Sequence, residues 1–114
     1  MKKEPKTKKL PPIHPGEILR ERLLIPRDIS PQELAQALKV SKEQIKWVCE
    51  ERADITPDLA ARLALYFDST VEFWLNLQRS YEEEVAKEKT ELLKEEIIPF
   101  KAKRGNSKYA TANH

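Results

Sequence analysis

The stretch from Ser30 to Val48 has room for two short helices and almost nothing between them. Ser30 is an N-cap, Pro31 suits the first helical position, and Glu33 stands where a capping-box carboxylate belongs. Leu34, Ala35 and Leu38 then share one face at helical spacing. Ser41 starts a second helix, with Gln44 completing another capping box, and Ile45, Val48 and Cys49 form its apolar stripe. Only Lys39 and Val40 separate the two, so the pair reads as a helix-turn-helix. The second helix is then a candidate to enter the major groove of DNA.

The flanking sequence supplies three more helices. His14-Pro15-Gly16-Glu17 opens the first, with Pro15 in the first turn, Glu17 at the positive end of the helix dipole, and His14 as N-cap. Ile18, Leu19 and Leu23 face inward, and Pro26 is expected to end it. After Val48 a charged loop runs from Cys49 to Asp54, and Ile55 is expected to plug the core. Thr56-Pro57-Asp58 starts the fourth helix, followed by Leu59, Ala60, Leu63, Ala64 and Phe67 at helical spacing. Ser69 and Glu72 form a possible capping box for the fifth. That last helix is long: Val71, Trp74, Leu77, Tyr81, Val85, Leu92 and Ile97 trace a broken apolar stripe, with Glu83 and Lys87 spaced four apart on the opposite, charged face and Pro99 as its stop.

These elements divide the chain into a Lys-rich arm without expected order (1–12), a five-helix domain (13–80), a helical extension (81–98) and a basic tail without periodicity (99–114). Charge is uneven along it. Residues 1–13 carry five lysines against one glutamate, residues 14–80 are net −2, and the remainder is balanced. Lys101, Lys103, Arg104 and Lys108 form a basic tail that reads either as a source of phosphate contacts or as a solubilising end. One cysteine excludes an intramolecular disulfide, and no apolar run is long enough to span a bilayer, so a cytoplasmic protein without a membrane partner is expected. No zinc-ligand spacing, phosphate loop or nucleophile–base arrangement stands out. The expectation is no enzymatic activity, metal, cofactor or small-molecule substrate; Phe73 and Trp74 read as core rather than as a ligand box, with a place for one ring at a dimer surface left open.

Two stretches resemble one family. His14-Pro15-Gly16-Glu17-Ile18-Leu19 is similar to the opening of the HigA/VapI-type antitoxins, and Arg62-Leu63-Ala64-Leu65-Tyr66-Phe67 with Phe73-Trp74-Leu75-Asn76-Leu77-Gln78 is similar to that family's second signature. The helix-turn-helix between them places the chain in the wider Cro/repressor-like (XRE) superfamily. The resemblance implies an all-α, five-helix lambda-repressor-like domain with an extended C-terminal helix. It also implies a homodimer that binds operator DNA, represses its own operon, and neutralises a HigB-like toxin of RelE fold that cleaves mRNA. Alternatives are a solitary XRE-family regulator, or an interaction module that has lost operator binding.

For the DNA face the resemblance implies base reading from Lys42, Glu43 and Trp47. Ser41, Gln44 and Lys46 lie close enough for base or phosphate contact, as do Ser30 and Gln32 at the start of the first helix of the pair, and Arg52 beyond the second. Lysine could reach guanine O6 and N7, and glutamate could accept from cytosine N4. Glu50 and Glu51 stand where relatives carry a Gly-containing basic loop, and their carboxylates would oppose phosphate. Lys39 occupies a turn position that usually holds Gly, at a cost of roughly 1 kcal/mol if left-handed. Trp74, Leu77, Tyr81 and Val85 are the candidate dimer interface.

Overall fold

A computed structural model describes residues 10–101. Among them are five helices and no strand, which is the all-α helix-turn-helix fold read from the sequence. Helix α1 runs without a break from Pro15–Ile18 through a π-helical stretch, Leu19–Leu24, to Ile25–Arg27. Helices α2 (Pro31–Leu38) and α3 (Lys42–Cys49) are the helix-turn-helix, followed by α4 (Pro57–Phe67) and α5 (Val71–Leu93). The basic arm up to residue 9 and the tail from residue 102 lie outside the described residues.

The caps explain why the short helices form. The Ser30 hydroxyl accepts from the Glu33 N–H at 3.0 Å while the Glu33 carboxylate accepts from the Ser30 N–H at 2.9 Å, a complete capping box. Ser41 accepts from the Gln44 N–H at 3.0 Å, and Thr56 from the Leu59 N–H at 3.1 Å. Lys39 closes α2 at φ 63°, so of the two readings open for this turn, strained or differently shaped, the left-handed one is adopted, and the Lys39 N–H reaches the Ala35 and Gln36 carbonyls. Arg62 fastens that turn from α4: its guanidinium donates to the Leu38 carbonyl at 2.8 Å and, at 2.8 Å, to Asp58 one turn back.

Leu19, Leu34, Ile45, Val48, Leu59, Leu63 and Trp74 are fully buried in one core, with Ile55 inserted as anticipated. The buried backbone N–H of Ile55 donates to Gln78 Oε1 at 2.8 Å, and Gln78 Nε2 donates to Glu82 at 2.9 Å. This buried glutamine ties the loop before α4 to α5 and leaves neither of its ends unpaired.

Several local expectations are corrected. Pro26 does not end α1, which continues to Arg27 and a left-handed Asp28 at φ 55°. The ladder has already stepped to five-residue spacing, with the Ile25 N–H on the Arg20 carbonyl. The guanidinium of Arg27 then donates at 3.1 Å to the Arg22 carbonyl, which proline at 26 cannot serve. The cap of α5 is Thr70, accepting from the Phe73 N–H at 3.1 Å, and not Ser69. Ser69 instead accepts from Trp74 Nε1 at 3.0 Å, satisfying the buried indole. Lys87 pairs with Glu84 at 3.5 Å rather than with Glu83. Helix α5 stops at Leu93, not near residue 98, because Glu95 and Glu96 oppose the negative end of the helix dipole and Ile98 precedes a proline.

Candidate DNA-reading face

Helix α3 buries Ile45, Val48 and Cys49 and turns Ser41, Lys42, Glu43, Lys46 and Trp47 outward, with Gln44 half-buried at its edge. Trp47 is 46 % exposed, which a ring of that size avoids when its own domain can cover it. One open cleft brings together Ser30 and Gln32 from the start of α2, Lys42 and Lys46 from α3, and Arg20 from α1. Four residues singled out in the sequence thus share a surface. Glu43, Trp47 and Arg52 are exposed but do not line that cleft.

The acidic pair after α3 is engaged rather than free. Glu50 lies 3.8 Å from Lys46 and 3.4 Å from Arg52, and Glu51, left-handed at φ 64°, lies 3.4 Å from Arg20. All five of these side chains reach solvent, so each pair contributes well under 1 kcal/mol to folding. Their effect is on the field: each carboxylate lowers the positive potential that its cation partner adds to this surface.

Besides its packing on α2, α3 is braced at its C-terminal end by α1. Gly16 lies against its C-terminal end so closely that a Cβ there would sit 1.8 Å from the Val48 carbonyl oxygen. One turn along, Arg20 Nη1 donates to the Cys49 carbonyl. At the N-cap, two residues before, the His14 Nδ1 accepts from the Gly16 N–H at 2.8 Å, and the ring packs edge-on against Tyr81 of α5 at 4.8 Å between centroids. The His14 pKa is lowered by burial, which outweighs the pull of Glu51, Asp54 and the Ala53 carbonyl in the other direction. Burial likewise pushes the Cys49 thiol up, so it stays protonated and inert. Arg20 was not singled out in the sequence; its only signal there is its place one turn beyond Gly16 on the same helix.

The dimer stripe needs one correction. Trp74 is fully buried between α4 and α5 and has no surface to offer a second chain. Leu77 and Tyr81 are half-buried and line a shallow depression with residues 10–13, so part of the stripe packs within its own chain; Val85 is exposed. Among the described residues no cluster of His, Cys, Asp and Glu could hold a metal ion, and no helix is long and apolar enough to cross a membrane.

No family model matches the chain. The virulence-associated protein I of Dichelobacter nodosus is 44 % identical over 79 residues, which span 69 % of this chain and 73 % of that protein. Among solved structures, the Pseudomonas aeruginosa antitoxin HigA with the higBA promoter is 44 % identical, with a TM-score of 0.69 over 79 % of this chain and 99 % of that one. The antitoxin GraA in complex with its operator is 34 % identical, with a TM-score of 0.70 over 83 % of this chain and 97 % of that one.

Proposed function

This chain belongs to the HigA family of helix-turn-helix antitoxins, and we propose that it binds operator DNA as a homodimer in the cytoplasm, represses its own operon, and neutralises a HigB-like, RelE-fold toxin that cleaves mRNA. One observation carries the DNA half: Ser30, Gln32, Lys42 and Lys46 share a solvent-open cleft at the exposed side of a capped second helix. In this arrangement Lys42, Glu43 and Trp47 meet base edges from the outer face of α3. Ser30, Gln32, Ser41, Gln44, Lys46 and Arg52 contact phosphate or base edges around it. Two copies place two such helices in successive major grooves, roughly 34 Å apart. The toxin half rests on membership of an antitoxin family, and the protein's role is binding, not catalysis.

A gel shift with the DNA upstream of the gene tests the first half. The expected result is a sequence-specific complex whose affinity falls steeply with salt, by a log–log slope of about 0.9 per phosphate neutralised. Reversing Lys42 to Glu should weaken it by tenfold or more. Absence of any specific complex at low salt would overturn the repressor reading. Co-purification with the product of an adjacent small reading frame tests the second half, and absence of a stable complex would favour a solitary regulator.

A further inference from the structure

Two apolar surfaces are left uncovered at opposite ends of α5. At its start, Ile18, Leu23, Phe67 and Phe73 line a groove between α1, α4 and α5. Phe73 is 43 % exposed there, and Arg22 and Arg27 stand at the rim. Past its end, Ile97, Ile98 and Phe100 are 62 %, 88 % and 81 % exposed, directly after Glu95 and Glu96. Among the described residues neither Arg22 nor these two glutamates has an ion-pair partner. An acidic-then-apolar segment and a basic-rimmed apolar groove are complementary in both charge and character.

They cannot meet within one chain. Helix α5 rises about 30 Å from Phe73 to Leu93 at 1.5 Å per residue. The segment from Lys94 to Phe100, even fully extended, reaches back only about 25 Å. A second copy removes the difficulty. When two α5 helices lie antiparallel about a two-fold axis, the end of each falls beside the start of the other, and both contacts form at once.

We propose that the homodimer of the preceding section, on which this inference rests, is closed by tail exchange. Residues 95–100 of each copy seat in the groove of the other, with Ile98 and Phe100 against Phe67 and Phe73, and Glu95 and Glu96 against Arg22 and Arg27. Tyr81 and Val85 lie midway along the pair. The dimer is isologous, so each substitution acts twice.

Sedimentation equilibrium of the full chain tests this. The double variant Ile98→Ser/Phe100→Ser should raise the dimer dissociation constant at least about a hundredfold, since two anchors are lost at each of two contacts. Circular dichroism should be unchanged, because both side chains already face solvent. Arg22→Glu should weaken the dimer, Glu95→Arg/Glu96→Arg should weaken it too, and the combination should recover most of the loss. A mixed population of Phe73→Cys and Ile98→Cys chains, both carrying Cys49→Ser, should cross-link between copies on oxidation. An unmoved dimer constant in the double variant, no rescue by the combined charge reversal, or no mixed cross-link overturns the tail exchange. If the double variant remains dimeric and still shifts operator DNA, this contact is wrong and the proposed function stands. A wild-type chain that is monomeric at tens of micromolar overturns the exchange and the homodimer together.

Discussion

Replacing Gly16 with alanine should be among the most damaging single-methyl additions in the molecule. In an ordinary helix the change is favourable, by roughly 0.5–1 kcal/mol, because glycine loses more freedom on folding than alanine. Here the added carbon would stand 1.8 Å from the Val48 carbonyl oxygen and 2.8 Å from its carbon. An ordinary carbon–oxygen contact needs about 3.3 Å, so α1 and α3 must part by more than 1 Å. The obstructing atoms are backbone, at the last turn of α3, and no rotamer change relieves them. Overpacking of this kind costs about 1–3 kcal/mol, and the lost contacts of His14 and Arg20 on the same face add to it. A net loss of about 2 kcal/mol follows, which lowers Tm by roughly 8–16 °C in a domain of this size. Urea unfolding monitored by tryptophan fluorescence measures it, since Trp74 is buried and reports the core. Unchanged or raised stability would refute the reasoning, for it would mean that α1 does not press on the end of α3.

Four further outcomes are expected. His14 has a lowered pKa, so the folded state resists its protonation; stability should be full above pH 6.5 and fall as the pH drops below it, and His14→Gln should flatten that acid-side loss in a thermal melt series. Gln78→Ala strands the buried Ile55 N–H and should cost about 1–3 kcal/mol by urea titration. Lys39→Gly relieves a left-handed side chain at φ 63° and should stabilise by up to about 0.5 kcal/mol after glycine's own entropy is set against it. Glu50→Gln releases Lys46 and Arg52, and operator affinity at low salt should rise several-fold, with no change in melting temperature beyond about 2 °C.

The parts of this molecule that could be read from its sequence are those made by neighbours in the chain. Ser30, Ser41 and Thr56 cap helices because their hydroxyls reach an N–H three residues on, and that spacing is visible in the letters. The apolar stripes of α2, α3 and α4 followed for the same reason. The periodicity of α5 places Trp74 on a stripe that serves equally as core or as interface, and only the packing of α4 over it decides for the core. Pro26 misled because the π-helical stretch and the Arg27 side chain, which make it tolerable, leave no mark in a hydrophobic pattern. Arg20, Arg62 and Gln78 act on carbonyls and an N–H between 23 and 29 residues away, and no local rule pairs them. For the DNA face the outward residues of α3 were legible, whereas the engagement of Glu50 and Glu51 by three cations required the fold.

The grip of α1 on the end of α3 has a consequence for how DNA recognition is tuned. His14, Gly16 and Arg20 brace α3 in the folded domain, so in the proposed DNA complex less conformational entropy would be left to lose on docking. Preorganisation of this sort separates two properties that surface contacts usually mix. In the proposed DNA complex, side chains on the outer face of α3 would set which bases are preferred, while the grip of α1 would set how tightly any operator is held. A substitution at Arg20 that leaves the domain folded would therefore lower affinity for every operator sequence alike, as a softening of the tool rather than a change of its shape.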